Sequence, residues 1–175
     1  MIAILTACSL NNQKNTELVF SKIKIFDSNW IRKTHFGIIY DCPKDWKENA
    51  DSSLTHQLTV YKQSQYDSTS AEFILKLTKT IKAYSMNGQS FDDNFKNHTE
   101  ILKNQLSVKE FKIDKIVLAD FKGYRLSAMI SLLNGMDSTF IYIINGNNSD
   151  YIIFRDGLTK YRAKGDSLLQ SLNLN

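Results

Sequence analysis

A cysteine near the N-terminus lies in a context that suggests one covalent chemistry, the acylation of its thiol. The residues Leu5-Thr6-Ala7-Cys8 match a bacterial lipobox, in which small residues precede the cysteine that is lipidated and becomes the mature N-terminus. Only seven residues precede Cys8 and none is charged, whereas a secretory signal has a basic start and an apolar core of roughly 7–15 residues. Two hypotheses therefore stay open: translation begins upstream, or the cysteine occurs here by chance.

The lipobox hypothesis predicts where the protein resides. Two acyl chains anchor a protein stably to a membrane, whereas one chain binds only marginally. Residues 9–18 are polar and suit a flexible tether. We expect a partial lipoprotein signal over 1–8, a tether leading into the domain over 9–32, and one globular domain over 33–175. The expected location is the bacterial cell envelope, with Cys8 attaching the chain to a membrane.

The three histidines are the residues from which a metal site or a general base would be built. None of them has the HExxH or HxH spacing of a metal-binding motif. His35 and His56 could meet if their strands pair, with Asp41 or Glu48 nearby, so a metal site stays open as an alternative. His98 lies on the apolar face of a predicted helix, where a surface or core-edge position explains it. We predict no metal and no cofactor.

The carboxylate pairs and the second cysteine have structural explanations. Asp92 and Asp93 would complement the dipole of a helix N-terminus, and Asp41 and Asp45 flank a proline turn. Cys42, beside that turn, is expected to be a small buried hydrophobe. The sequence has no GxSxG element and no glycine-rich phosphate loop. We predict no catalytic residue; the alternative is an envelope hydrolase or other enzyme whose site is assembled only in three dimensions.

Composition narrows the class of protein further. Of the 175 residues, 42% are apolar, which is enough for one domain with a hydrophobic core. The net charge is +4 and the lysines are scattered rather than clustered, so nucleic-acid binding is not expected. Apart from the N-terminus, no segment approaches the roughly 18 apolar residues of a membrane-spanning helix.

The elements that must position these residues are mostly strands, because apolar and polar residues alternate along much of the chain. Pro43 fixes a turn, after which Trp46 should pack at the edge of the core. Residues 47–55 have the composition of a polar loop, residues 120–123 that of a turn, and Asn134-Gly135 signals a hairpin. The predicted strands cover 36–40, 57–62, 71–84, 109–117, 124–132, 138–144 and 150–155; the predicted helices cover 90–106 and part of 158–172, with a kink near Gly165.

Residues 71–84 allow two interpretations. As a helix, Phe73, Leu77 and Ile81 would form part of an apolar stripe, with a capping box that begins at Thr69. The β-branched and threonine content favours a long strand with a bulge. With that choice, the order of elements predicts a strongly twisted antiparallel sheet covered by helices on its faces.

Several motifs together resemble a known family. They are Tyr-Asp-Cys-Pro-Lys-Asp-Trp at 40–46, Phe-Lys-Gly-Tyr-Arg-Leu at 121–126, the hairpin strands at 140–143 and 151–154, and Leu-Leu-Gln-Ser-Leu at 168–172. In this order they resemble the PsbP-like fold, which is shared with the Mog family of Ran regulators and with many bacterial lipoproteins. The resemblance implies an α/β fold, an αβα sandwich of the PsbP-like type.

The family offers two known roles, and the chain matches the residues of neither. Its plant members are accessory subunits of photosystem II, and its Mog members bind a nuclear GTPase. The resemblance therefore implies a non-enzymatic, lipid-anchored envelope protein, an accessory or binding module whose ligand it leaves open.

Contact residues for a protein partner in the envelope are expected on polar loops of the rigid sheet, near residues 47–55, 64–70 and 145–149. The candidates are Tyr66, Asn147 and Asn148, chosen for loop position and expected exposure. Solvated turns remain the alternative explanation for all three.

Overall fold

A computed structural model of the chain describes residues 17–52, 55–82, 91–104, 108–132 and 135–174. Most of these residues form strands. The strands are β1 (Leu18–Phe20), β2 (Trp30–His35), β3 (Ile38–Pro43), β4 (Lys47–Asp51), β5 (His56–Gln63), β6 (Ala71–Ile81), β7 (Val108–Leu118), β8 (Phe121–Leu132), β9 (Gly135–Asn145) and β10 (Ser149–Gly157). The helices are α1 (Phe91–Lys103) and α2 (Arg162–Ser171), the latter preceded by a 3-10 turn at Thr159–Tyr161.

Eight strands form one large sheet in the order β1-β7-β8-β9-β10-β6-β5-β4, and β2 and β3 form a separate hairpin. The large sheet is antiparallel throughout except at its edge, where β1 pairs in parallel with β7. Because Leu18 pairs with Ile116, the sheet begins within the segment expected to lead into the domain.

The large sheet separates two buried layers. Its inner face packs against the β2–β3 hairpin and α2 and forms the larger core, which includes Tyr40, Leu75, Leu77, Tyr142 and Leu168. Its outer face packs against α1, where Leu102, Leu126, Ala128, Ile141 and Ile143 form a second cluster. The predicted αβα sandwich is therefore confirmed, with a hairpin in one of the two outer layers.

Most of the predicted strands and both helices are confirmed, with shifts of a few residues at their ends. Residues 71–81 form the strand β6, so the helical interpretation of this segment is wrong. The bulge is present: the β5–β6 register shifts between Lys62 and Gln63. Tyr84 lies outside the described residues, as do the first residue and residues 105–106 of the predicted helix 90–106, and Asn134 of the predicted hairpin.

Two expectations around β3 are wrong. The predicted strand 36–40 begins inside a turn, because Phe36 and Gly37 both have positive φ (53° and 77°) and form the two-residue loop that joins β2 to β3. This strand also does not join the large sheet, because β3 is bonded to β2 on one side and to Asn173 on the other. Residues 47–51, expected in a polar loop, form β4 at the sheet edge, where only backbone pairing with β5 is required.

The predicted turn at 120–123 is one to two residues too late. Ala119 and Asp120 have positive φ (51° and 72°) and close the β7–β8 hairpin. Gly123 lies within β8. A Cβ there would lie 2.1 Å from the carbonyl oxygen of Ile143, so this glycine is needed for the close approach of β9.

The predicted burial of Trp46 and Cys42 is confirmed, since their exposed fractions are 4% and 0%. The N–H of Trp46 donates to the carbonyl oxygen of Pro43 across the turn, at 3.0 Å. Among the described residues, no helix has both the length and the apolar character needed to span a bilayer.

Candidate functional site

A group of titratable side chains surrounds Glu48, at the place where the edge strand β4 faces the β2–β3 hairpin. Tyr40 donates its hydroxyl to Oε2 of Glu48 at 2.5 Å. The Nζ of Lys33 lies 3.0 Å from Oε1 of Glu48, and the Nε2 of His35 lies 3.4 Å from the same oxygen. Three groups from the hairpin therefore converge on one carboxylate of the large sheet.

The electrostatics of this group hold Glu48 ionised. Burial would raise the pKa of Glu48, but the hydrogen bonds from Tyr40, Lys33 and His35 outweigh burial and lower the pKa. Burial and the neighbouring Glu48 together raise the pKa of Tyr40. At neutral pH the pair is therefore a carboxylate and a neutral phenol, which suits a structural link better than proton transfer.

The predicted meeting of His35 and His56 takes a different form. Both contact Phe36 at the hairpin tip: the rings of Phe36 and His56 stack at 4.6 Å, and His35 lies 6.2 Å from Phe36. The Nζ of Lys79 donates to the carbonyl oxygen of Phe36 at 2.9 Å. Within the described part of the chain, no group of three or more His, Cys, Asp or Glu side chains could hold a metal ion.

The expected pairing of Asp41 and Asp45 around one turn is corrected by the structure. Asp41 lies within β3 and binds Nε and Nη2 of Arg32, at 2.8 and 2.9 Å, and the N–H of Ile25 at 3.1 Å. Asp45 lies in the turn and binds Nζ of Lys62 at 2.9 Å. Each carboxylate therefore joins a different pair of segments.

A second set of ion pairs, which the sequence did not reveal, surrounds Phe140. Arg125 binds Asp114 through Nη2 at 2.6 Å, and the nearly buried Arg155 binds Asp166 of α2 through Nη1 at 2.5 Å. Both guanidinium groups lie within 6 Å of the Phe140 ring, at 5.6 and 5.2 Å. The available signal was an arginine in each strand at an inward position. The strand register pairs Arg125 with Asp114, whereas Asp166 meets Arg155 only through the packing of α2 on the sheet.

The predicted contact residues are exposed, but they lie far apart. Tyr66, 94% exposed, is in the β5–β6 loop, and Asn147 and Asn148 are exposed in the β9–β10 turn. These loops lie at opposite ends of β6, whose Ala71 pairs with Gln63 and whose Ile81 pairs with Ser149. Ten strand residues separate them, about 33 Å at roughly 3.3 Å per residue. They do not form one surface, and their binding roles stay predictions.

Cys8 lies outside the described residues, so its acylation also stays a prediction.

A shallow cavity of about 280 Å³ lies at the surface of the layer formed by β2–β3 and α2. The segment that precedes β2, the turn after β3 and the helix α2 all contribute to it. Its lining residues are Asp27, Asn29, Trp30, Pro43, Lys44, Asp45 and Lys164. The cavity could not be predicted from the sequence, because its residues come from three separate parts of the chain.

The chain matches no protein-family model and no curated protein. Several solved structures are similar to it, including the following two. One is LpqN of Mycobacterium tuberculosis, described as involved in cell envelope biogenesis, with 13% identity, a TM-score of 0.50, and coverage of 82% of this chain and 89% of LpqN. The other is the cyanobacterial PsbP protein CyanoP of Synechocystis sp. PCC 6803, with 7% identity, a TM-score of 0.54, and coverage of 89% and 98%.

Identities this low bear on the fold alone. The similarity to CyanoP extends over most of both chains, so in this chain it includes the large, mostly antiparallel sheet and the layers that cover its two faces. The chain therefore has a PsbP-like fold.

Proposed function

We propose that this protein is a non-enzymatic, lipid-anchored module of the bacterial cell envelope that acts by binding a partner there. The observation that carries the proposal is that the acidic side chains near other charged groups form ion pairs within the fold. The carboxylates of Asp41, Glu48, Asp114 and Asp166 each bind a cationic side chain from another segment of the chain. They stabilise the contacts between layers and strands.

The protonation states of these groups support binding over catalysis. A general acid or base works best when its pKa lies near the working pH. Burial alone would raise the pKa values of Asp41, Glu48 and Asp114, but hydrogen bonds and cationic neighbours lower all three. Burial raises the pKa of the Cys42 thiol to about 11, which disfavours the nucleophilic thiolate.

Two further observations support the envelope location. The sequence Leu5-Thr6-Ala7-Cys8 matches a lipobox, and the first residue of β1 lies ten positions after Cys8. LpqN, which has a similar fold, is described as involved in cell envelope biogenesis.

The location is tested by fractionating cells that express the full chain behind a complete secretory signal. We expect the wild-type protein in membranes with acylated Cys8, and Cys8→Ser in the soluble fraction or with its signal retained. Cys42→Ala is the matched control, because it removes the other cysteine, and it should remain with membranes. A wild-type protein that is soluble, with an unmodified Cys8, would refute the anchor.

The absence of catalysis is tested separately on the purified protein. We expect no turnover of generic esterase, phosphatase, peptidase or glycosidase substrates. Reproducible hydrolysis that Glu48→Gln or another single substitution abolishes would show that the protein is an enzyme. Enzyme activity would leave the anchoring result intact, so the two parts of the proposal fail independently.

A further inference from the structure

The segment between β1 and β2 runs along α2, and its side chains point alternately toward the protein and toward solvent. The N–H of Ile23 donates to the carbonyl oxygen of Gln170, near the end of α2, at 3.1 Å. Two residues later, the N–H of Ile25 donates to Asp41. Asp27 then shares the cavity with Lys164, near the start of α2. The segment is thus antiparallel to the helix, and its half-buried Ile23 and Ile25 alternate with exposed residues.

The exposed side of this segment carries Lys22, Lys24 and Phe26. The Phe26 side chain is 85% exposed, which is unusual for a phenylalanine in a rigid fold. The Nζ of Lys24 lies 5.1 Å from the centre of its ring. The Nζ of Lys22 donates to the neutral side-chain oxygen of Asn173 at 2.8 Å, so that bond leaves its charge uncompensated.

The cavity adjoins this surface, because Asp27, the residue after Phe26, lines it. Lys44 and Lys164 line it, and among the described residues neither forms an ion pair. Of the two acids in the lining, Asp45 binds Lys62 at 2.9 Å and also interacts electrostatically with Lys164, and Asp27 is exposed. We call the surface formed by Lys22, Lys24, Phe26, Lys44 and Lys164 the cationic face.

We propose that the cationic face rests on an anionic phospholipid surface. An exposed aromatic ring beside lysines is the composition of interfacial membrane-binding segments, in which the ring enters the headgroup boundary and the lysines attract anionic lipids. Charge complementarity favours this occupant, because the four lysines are exposed and one of them, Lys24, lies beside the protruding ring.

The position of the face relative to the anchor supports this occupant, and this step rests on the proposed acylation of Cys8. The ten residues from Cys8 to Leu18 span at most about 33–36 Å when fully extended. The cationic face begins four residues after Leu18. It therefore belongs to the part of the domain that an anchor would hold nearest to the bilayer.

The experiment measures binding of the full 175-residue chain, carrying Cys8→Ser so that no acyl group contributes, to sedimented vesicles. One set of vesicles contains phosphatidylglycerol and phosphatidylcholine in equal parts, and the other contains phosphatidylcholine alone. We expect binding to the anionic vesicles that weakens with added salt, because salt screens exposed charges. Near an anionic surface each lysine contributes about fivefold in affinity. Lys22→Gln with Lys24→Gln should therefore weaken binding about 20- to 30-fold.

Matched variants on the opposite side of the molecule serve as controls. Lys76 and Lys115 are exposed on the outer face of the large sheet, opposite Phe154 and Tyr124, and their double change to Gln alters the net charge equally. Phe26→Ala should weaken binding at least about fivefold. Its control, Ile101→Ala, removes a 57% exposed apolar side chain from α1. Both control variants should bind like the parent chain.

Three outcomes would overturn the proposal. Equal binding to both kinds of vesicle would exclude an anionic surface as the ligand. An equal loss in the Lys76 and Lys115 control would show attraction by net charge rather than by this face. Displacement by inorganic phosphate, at an ionic strength where chloride has no effect, would indicate a phosphate-ion site in the cavity instead. Because the chain tested cannot be acylated, these results are independent of whether Cys8 anchors the natural protein.

Discussion

Removing the Trp46 side chain should destabilise the protein strongly. Its ring is buried at the junction of the hairpin layer, the large sheet and the turn before α2, with Phe73 at 4.8 Å and Tyr161 at 6.1 Å between ring centres. Large-to-small substitutions of buried aromatic residues cost about 3–5 kcal/mol, and aromatic pairs add about 0.5–1.5 kcal/mol to that burial. We therefore expect Trp46→Ala to lie in the upper half of this range.

A second substitution separates the packing of the ring from its polar atom. The Nε1 of Trp46 is buried and has no hydrogen-bond partner among the described residues, and an unsatisfied buried donor costs about 1–3 kcal/mol. Trp46→Phe keeps an aromatic ring and removes that donor, so its loss should stay below about 2 kcal/mol. Trp30→Ala, a control at a half-buried tryptophan, should cost less than Trp46→Ala.

The assay is urea unfolding followed by far-UV circular dichroism, which does not depend on tryptophan emission. With a slope of about 2 kcal/mol per molar urea, Trp46→Ala should lower the midpoint by about 2 M. A loss below about 1 kcal/mol would show that Trp46 is exposed and available for binding. A loss in Trp46→Phe equal to that in Trp46→Ala would refute the contribution of the aromatic contacts.

Two further predictions concern other buried contacts. Burial raises the pKa of Asp114, but the larger combined effect of Lys112 and Arg125 lowers this pKa to below its ordinary value of 3.8. The ionised Asp114 carboxylate should therefore stabilise the fold fully above pH 3.8, and this stabilisation should be lost as the pH falls through the lowered pKa. Asp114→Asn should cost about 1–3 kcal/mol at pH 7 and make the protein's stability less dependent on pH in the acid range. In α2, a Cβ on Gly165 would lie 2.4 Å from the Phe73 ring. Gly165→Ala should therefore destabilise the protein by up to about 2 kcal/mol, because overpacking costs about 1–3 kcal/mol and the gain in helix propensity returns only about 1 kcal/mol. In a double-mutant cycle, Phe73→Leu should relieve that loss, and additive effects would contradict the clash.

The sequence predicted elements whose signals are local. Alternation in β5 to β10 and the apolar stripe of α1 each occupy one short stretch of chain, and burial of one face requires such a pattern. The turn at Pro43 placed Trp46 at the core for the same reason. The predicted turn at 120–123 was wrong because Gly123 is required by the close approach of the β9 backbone, which lies some twenty residues away in the chain, and not by a turn.

Elements at the sheet edge gave weaker signals. β4 is mostly exposed and joins the sheet through backbone pairing, so its polar sequence could not distinguish it from a loop. In the hairpin, the apolar alternation continued into Phe36, although that residue lies in the turn and packs against His56. A strand that is held by backbone hydrogen bonds alone leaves no apolar pattern in the sequence, so its pairing cannot be predicted from a local pattern.

The sequence by itself predicted the αβα architecture, because periodicity and short motifs specify it residue by residue, and it supplies the lipobox match at Cys8. Tertiary structure alone decided which side chains meet. Glu48 gathers Lys33, His35 and Tyr40 only because β4 lies against the hairpin, and the cationic face exists only because the segment after β1 runs along α2. Both arrangements depend on contacts between segments far apart in the chain, whose geometry is set by the packing of the layers.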